Sequence, residues 1–163
     1  MENYKSEKNL TLIVEQAVNS FNRKEQYLIK NDLSERCICA RFAMHLAQAL
    51  ENSPYSKYEV DVEYNRGADG KERAIKRLCN DIIVVDLVVH KRGYDERIGF
   101  DNLICIEMKK TSNRKGCDSD EKRLKNMTGA DYGFCYNLGI MILIDNKQNL
   151  LRIKSRFCEG NQL

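Results

Sequence analysis

The stretch LICIEMKK, residues 103–110, has the apolar composition of a buried β-strand but contains charged side chains. Side chains alternate between the two faces of a strand, so Glu107 and Lys109 are expected on one face, about 6 to 7 Å apart. Ile104, Ile106 and Met108 are then expected on the other face. A carboxylate and an amine placed together in a core strand indicate a chemical role as well as a structural one.

A second acid lies in the apolar run DIIVVDLVVHK, residues 81–91. The run is rich in β-branched residues and predicts a central strand that is buried on both faces. Asp86 is isolated inside it, and a buried carboxylate is costly unless a charge or a metal compensates it. Two neighbouring strands would therefore each carry an acid within an apolar run.

A third acid opens the helix predicted from about Glu35 to Leu50, which Asp32 or Ser34 can cap. At 100° per residue, the apolar positions Cys39, Phe42 and Leu46 fall on the same side as Glu35. Glu35 therefore lies at the centre of the buried stripe, in the first turn, and is expected to point towards the surface on which the helix packs.

The remaining segments predict a single domain over residues 1–163 with an α/β mixed sheet. The expected order is α, α, β, β, β, α, β, β. The first helix covers residues 10–30, and Asp118 or Ser119 caps and Gly129 ends the helix that follows Lys110. The outer segments are a strand from Tyr58, a polar turn region at 66–77 that could form a hairpin or an irregular connection, and strands at 133–145 and 150–157.

Composition excludes several classes of protein. The chain is 42% apolar and 31% charged, which is typical of a soluble globular domain. No apolar run could span a bilayer, and the first residues lack the apolar core of a secretory signal. Seven cysteines, an odd number without a C-x-x-C pair, favour reduced thiols in a cytoplasmic protein over disulfides or zinc. A net charge of +3 is too small to indicate a nucleic-acid partner by itself.

The three acids suit a hard divalent cation such as Mg²⁺ or Mn²⁺, which binds one or two carboxylates together with waters and phosphate oxygens. Asp86 and Glu107 are the predicted metal ligands, with the backbone carbonyl of Met108 as a third. Lys109 can orient an attacking water and stabilise the negative charge that develops on a phosphodiester.

Asp86, followed by Glu107-Met108-Lys109, resembles the signature of the PD-(D/E)XK nuclease superfamily, with Val85 in place of the proline. The segments SERCICARFAMHLAQAL, YEVDVEYNR and DIIVVDLVVH are also similar to small bacterial members of that superfamily. The resemblance implies a restriction-endonuclease-like αβββαβ core from residue 31 to about 145, with residues 1–30 as an extra helix. It further implies metal-dependent hydrolysis of nucleic acid, with Glu35, Asp86, Glu107 and Lys109 as catalytic residues and Asp120 as a further acid.

Other interpretations of the same residues stay open. Glu107 and Lys109 could form an ion pair on an edge strand, and Asp86 could cap a bulge or pair with a buried arginine. Glu35 could form a capping box with Asp32 or interact favourably with the helix dipole. The basic residues near the acids could line a groove for DNA or lie on solvated faces. They are Lys109, Lys110, Arg114, Lys115, Lys122, Arg123, Lys125, Lys91, Arg92, Arg66, Lys71, Arg73, Lys76 and Arg77.

Two functional hypotheses follow. The first is a Mg²⁺-dependent nuclease, with DNA as the expected substrate and with Lys110, Arg66 and His90 as possible substrate contacts. The second is a catalytically inactive nuclease-like subunit that binds a partner within a larger complex. A homodimer that cuts only when assembled lies between the two.

Overall fold

The computed structural model describes residues 5–68, 71–75, 77–78, 81–93, 95–99, 101–113 and 116–163. Within these ranges there are four helices, and the order of helices and strands defines a mixed α/β fold. The helices are α1 (Glu7–Lys24), α2 (Gln26–Lys30), α3 (Glu35–Glu51) and α4 (Cys117–Thr128). The strands are β1 (Glu59–Val62), β2 (Arg66–Ala68), β3 (Lys71–Ile75), β4 (Arg77–Leu78), β5 (Asp81–Ile82), β6 (Leu87–His90), β7 (Asn102–Lys110), β8 (Leu138–Asp145), β9 (Leu150–Cys158) and β10 (Asn161–Gln162).

Six strands form one mixed sheet in the order β1-β6-β7-β8-β9-β10. Strands β7 and β8 are parallel, with α4 as the crossover between them, and the other neighbouring pairs are antiparallel. Strands β2 and β3, and β4 and β5, form two small antiparallel pairs outside this sheet. The predicted order of major elements and the mixed sheet are confirmed.

The sheet separates two apolar layers, and β7 contributes to both. Ile104, Ile106 and Met108 pack with the buried residues of α1 and α3 on one face. Cys105 packs with Leu124 and Met127 of α4 on the other face. By the alternation of a strand, residues 107 and 109 share the α4 face with Cys105, as the sequence predicts.

The predicted strand over residues 81–91 is wrong in its first half. Residues 83–85 lie outside any strand and β6 begins only at Leu87, while Ile82 and Val84 are 52% and 38% exposed. The cause is Asp86, whose carboxylate accepts the backbone N–H of Met108. A side-chain oxygen thus replaces a backbone carbonyl in the ladder, which ends the regular pairing at this residue.

The helix ends agree with the sequence at the start of α3 and at the end of α4, and they differ within residues 10–30 and at the start of α4. Ser34 caps α3 by accepting from the backbone N–H of Cys37 at 3.2 Å. The helix predicted over residues 10–30 is divided at Glu25 into α1 and α2. Helix α4 is preceded by Gly116, whose φ of 87° favours glycine, and not by a cap at Asp118 or Ser119. Its predicted end at Gly129 is confirmed.

Helix α1 is an integral part of the fold. Its buried residues belong to the same apolar cluster as α3 and the sheet. The Asn22 side chain donates to the carbonyl of Leu151 at 2.9 Å and accepts its N–H at 2.7 Å. Asn22 thereby pairs backbone groups on the side of β9 that faces away from β8, where an unpaired edge would be open to other chains.

Six of the seven cysteines fall within the described ranges, and these six are free thiols. Cys39 and Cys105 are buried, as expected, whereas Cys135 is exposed. None of the helices in the described part of the chain is long and apolar enough to cross a membrane.

Candidate active site

Asp86, directly before β6, and Glu107 of β7 meet at the end of the sheet where β7 ends and β6 begins. Leu87 pairs with Ile106, so Asp86 lies opposite Glu107. The Met108 N–H donates to Asp86 Oδ2 at 2.7 Å, and the charge of Asp86 contributes to the raised pKa of Glu107. Glu107 is buried and pairs with Arg123, and Lys109 pairs with Asp120, so the interpretation of Glu107 and Lys109 as an ion pair on a solvated edge strand is wrong.

Glu107 is held in an environment that disfavours its charge. It is 4% exposed, and burial, followed by the charge of Asp86, raises its pKa to about 8 against the opposing effect of Arg123. Burial also raises the pKa of Asp86, while the Met108 N–H lowers it. Two neighbouring buried carboxyl groups repel each other when both are charged, so the pair favours a bound proton.

Lys109 is a cation fixed beside these acids. Its Nζ lies 3.3 Å from Asp120 Oδ2. Burial alone would lower the pKa of Lys109, but the charges of Asp120, Glu35 and Asp86 outweigh it and raise the pKa above its usual value. In this arrangement Lys109 stays protonated at neutral pH, so it can stabilise negative charge but cannot accept a proton.

The first turn of α4 supplies a buried acid. Asp120 is 7% exposed and accepts from both Lys109 and Arg123, the latter at 3.4 Å. A carboxylate in the first turn also interacts favourably with the helix dipole. The structure therefore joins Asp120 directly to Lys109, and to Glu107 through Arg123.

Glu35 approaches the same group from α3. It is half-buried, and its charge contributes to the raised pKa of Lys109. One turn later, the Cys39 thiol donates to the carbonyl of Asp86 at 3.6 Å; burial, with the charges of Asp86 and Glu107, raises its pKa. The face of α3 that contains both residues is thus directed at the acids, as the helical spacing predicts.

The capping-box interpretation of Glu35 is wrong. Ser34 is the residue that caps α3. The carboxylate of Asp32 accepts instead from Lys110 Nζ at 2.7 Å and from Asn146 at 3.2 Å. Lys110 therefore points away from the acids, towards the loop before α3, because it alternates with Lys109 along β7.

Two further predicted contact residues lie apart from the acids. His90 pairs with Asn102 at the opposite end of β7, five residues or about 16 Å from Glu107. It is buried, with Nε2 2.9 Å from Asp61 Oδ2 and its ring against Tyr64. Arg66 is exposed at the start of β2, and none of the contacts found within the described residues joins it to the acids.

Arg123 is the site residue that the sequence interpretation missed. Its Nη1 forms an ion pair with Glu107 and lies 3.4 Å from Asp120. The sequence places it among basic residues that could line a DNA groove or lie on solvated faces, of which Arg114, Lys115, Lys76 and the side chains of Lys71 and Arg73 lie outside the described part. One signal in the sequence could have identified Arg123 as a site residue. It lies three residues after Asp120, which places both side chains on one face of the helix.

The donor set fits a divalent cation that keeps several waters. Asp86 and Glu107 supply two carboxylates, and the carbonyl of Met108 leaves β7 on the same side as the N–H that reaches Asp86. Mg²⁺ commonly binds one or two carboxylates and completes its octahedron with water. No group of three or more acid, histidine or cysteine side chains suited to a metal occurs among the described residues. Arg123 supplies the cation at Glu107.

A cavity of about 450 Å³ opens beside Lys109, between α4 and the strands β7, β8 and β9. Four of its lining side chains are cationic and one, Asp118, is acidic. The cations are Lys109, Lys110, Arg152 and Lys154, and each also pairs with a carboxylate, namely Asp120, Asp32, Asp145 and Glu121 respectively. These ion pairs hold the four cations in position around the cavity, and Lys109 is the lining residue that also contacts the acid Asp120.

Comparison of the chain with protein-family models, with curated proteins and with solved structures found no significant match to any of them.

Proposed function

We propose that this chain is a Mg²⁺- or Mn²⁺-dependent nuclease of the PD-(D/E)XK type that hydrolyses phosphodiester bonds in DNA. The observation that carries the proposal is the convergence of Asp86, Glu107 and Lys109, with Glu35 nearby, at one end of the sheet. Acids with raised pKa values beside a fixed cation are typical of functional sites.

The arrangement of elements supports the same class. From α3 onwards, the main elements follow the order α3, β1, β6, β7, α4, β8, which is the αβββαβ order of a restriction-endonuclease-like core. The Glu-x-Lys pair lies on the third strand of this series, and the parallel fourth strand is β8. Residues 7–24 precede the core as an additional helix.

Each residue has a defined role in the proposed reaction. Asp86, Glu107 and the Met108 carbonyl would hold the metal, which supplies an activated water and neutralises phosphate charge. Lys109 orients that water and stabilises the extra negative charge in the transition state. Asp120 fixes the Lys109 ammonium at 3.3 Å, and Glu35 adds negative charge on the α3 side.

DNA is the proposed substrate because several cations line a cavity that begins at Lys109. The cavity beside Lys109 places Arg152 and Lys154 of β9 close to the same site. Lysine and arginine side chains near phosphates provide most of the sequence-independent affinity for DNA. Two other predicted cations, Lys91 and Arg92, pair with Asp101 and Asp61 at the far end of the sheet.

The test is cleavage of plasmid and linear DNA by the purified protein with Mg²⁺ or Mn²⁺, with an RNA of matched length in parallel. Lys109→Met should abolish cleavage while circular dichroism shows an unchanged fold. Lys125→Met, an exposed change on α4, is the matched control and should remain active. A wild-type protein that cuts no DNA or RNA with either metal would contradict the proposal.

The second candidate function is a catalytically inactive nuclease-like subunit of a larger complex. Its support is the ion pair between Arg123 and Glu107, which satisfies the buried acid with no metal. Calorimetric titration with Mn²⁺ separates the two candidates. Binding that is lost in Asp86→Asn supports the nuclease, and no binding supports the inactive subunit. A homodimer that is active only when assembled would show specific activity that rises with protein concentration.

A further inference from the structure

Arg123 lies between two acids that the proposed function uses differently. Its Nη1 pairs with Oε1 of Glu107, a proposed metal ligand, and lies 3.4 Å from Oδ1 of Asp120, three residues earlier on the same helix. Its side chain is 31% exposed, whereas those of Glu107 and Asp120 are 5% and 10% exposed. The guanidinium can therefore reach solvent, while the two acids are enclosed.

The buried acids are stabilised by neighbouring positive charge whenever they are ionised. An uncompensated carboxylate in a protein interior is strongly destabilising, and Glu107 and Asp86 lie side by side. Without a metal, Arg123 is the cation in direct contact with Glu107. A divalent cation at Asp86 and Glu107 would repel that guanidinium and would need the carboxylate oxygen that it occupies.

We infer that Arg123 is an internal counter-ion that competes with the metal: it pairs with Glu107 in the metal-free protein and shifts to Asp120 alone when a divalent cation binds. This inference rests on the proposed function. The shift requires only a change of side-chain rotamer, because Asp120 and Arg123 are neighbours on one face of α4. Arg123 thus stabilises the fold without metal and weakens metal binding.

The shift also couples metal binding to Lys109. Asp120 accepts from Lys109 at 3.3 Å as well as from Arg123. When Arg123 moves fully onto Asp120, the carboxylate is shared between two cations, and its hold on the Lys109 ammonium weakens. Lys109 is then freer to turn towards a phosphate at the metal. Its ammonium group thus becomes available at the place where negative charge is bound.

The first test is calorimetric titration of the purified protein with Mn²⁺, with thermal unfolding at increasing Mn²⁺ as a second readout. Arg123→Gln removes the competing charge and should bind Mn²⁺ about tenfold more tightly than the wild type. Lys125→Gln removes an equal charge from the exposed side of the same helix and should leave the affinity almost unchanged.

A double-mutant cycle tests the role of Asp120. Asp120→Asn should weaken Mn²⁺ binding in the wild-type background, partly because Arg123 loses the partner to which it shifts. In the Arg123→Gln background the same change should have a clearly smaller effect, so the two substitutions should be non-additive. Equal effects in both backgrounds would contradict a shift of Arg123 to Asp120.

A measurement on the wild-type protein avoids any dependence on variant folding. The ¹⁵Nε resonance of Arg123, followed during a Mg²⁺ titration, should move in step with saturation of the site. Equal Mn²⁺ affinity of the wild type and Arg123→Gln, with an unmoved resonance, overturns the inference and leaves the nuclease proposal intact. Absence of binding in both proteins overturns both, and binding by Arg123→Gln alone supports the counter-ion role.

Discussion

Glu107 is stabilised in an apolar strand by groups from three different elements. Asp86 lies directly before β6, and Arg123 projects from α4 to pair with Glu107. Within β7 itself, Cys105 and Met108 pack on opposite faces of the sheet. The balance of charge at this position is therefore sensitive to the protonation of Glu107, whose pKa is raised to about 8, first by burial.

At the residue scale, this raised pKa predicts that stability falls as the pH rises. The ordinary value for the side chain is 4.5. Between 4.5 and about 8 the folded protein holds a proton that the unfolded chain has lost, so unfolding becomes easier with each pH unit. The stabilisation is complete below 4.5 and is lost as the pH passes through about 8. The expected loss is on the order of a few kcal/mol. Burial also raises the pKa of Asp86, so its titration changes the stability with pH in the same direction.

Urea unfolding of the metal-free protein from pH 5 to pH 9 measures this effect. The matched variant is Glu107→Gln, which has a similar shape but does not titrate. The wild type should lose stability across this range relative to the variant. Parallel curves for the two proteins would show that Glu107 is ionised throughout and would contradict the proposed protonation of the acid pair.

Strand alternation and helical spacing were sufficient to predict Glu35, Asp86, Glu107 and Lys109 as neighbours, because each signal is local to one element. Arg123 was missed because its long side chain reaches another element, and its partner cannot be read from local spacing. His90 was placed too near the acids because alternation gives the face of a strand but not the distance along it.

At the element scale, the position of α4 depends on a close approach to β8 at Gly139. A Cβ at this residue would lie 3.1 Å from the Thr128 side-chain methyl and 3.3 Å from the Leu124 carbonyl. These distances are shorter than ordinary van der Waals contact. Glycine therefore allows the helix that bears Asp120 and Arg123 to pack directly on the sheet.

Gly139→Ala should destabilise the fold by about 1 to 3 kcal/mol because α4 must move outwards. Thr128→Ser removes the nearest methyl while keeping the hydroxyl that donates to Leu124, so it should partly restore stability in the double variant. Chemical unfolding of the single and double variants measures both effects. A Gly139→Ala protein as stable as the wild type would show that the approach is looser than described.

The cavity beside Lys109 gives a second prediction at this scale. Arg152→Gln with Lys154→Gln should weaken binding to a labelled DNA duplex. The slope of the logarithm of the binding constant against the logarithm of the salt concentration should fall in magnitude by about 1 to 2, because two phosphate contacts are lost. Fluorescence anisotropy in Ca²⁺, or with Lys109→Met as the background, would measure affinity without cleavage.

The control for this experiment removes the same charge elsewhere. Arg23→Gln with Lys24→Gln changes two exposed residues at the end of α1, on the other side of the sheet from α4. This double variant should bind DNA nearly as the wild type does. Equal weakening in both double variants would show that net charge, and not the cavity, determines affinity.

Most elements were predictable because hydrophobic periodicity reports which face of each element is buried. The long apolar strands β7 and β8 and the amphipathic helix α3 agree well with this signal. The strand expected over 81–91 failed because periodicity does not reveal that the Asp86 carboxylate takes a position in the hydrogen-bond ladder. The start of α4 failed because a left-handed glycine, Gly116, precedes it.

At the scale of the whole molecule, one sheet lies between α1 and α3 on one face and α4 on the other. The acids lie where this layering ends, so groups from α3, β6, β7 and α4 meet there. Helix α1, which falls outside the superfamily resemblance, closes the apolar face and covers part of β9 through Asn22. The site therefore depends on a scaffold larger than the αβββαβ series.

The most direct test of the account is an anomalous difference map from crystals soaked in Mn²⁺. The account predicts a peak at about 2.1 Å from carboxylate oxygens of both Asp86 and Glu107, with Arg123 turned to Asp120 and Lys109 beside the metal. A map with no peak at these acids, and with Arg123 still paired to Glu107 at saturating Mn²⁺, would contradict it.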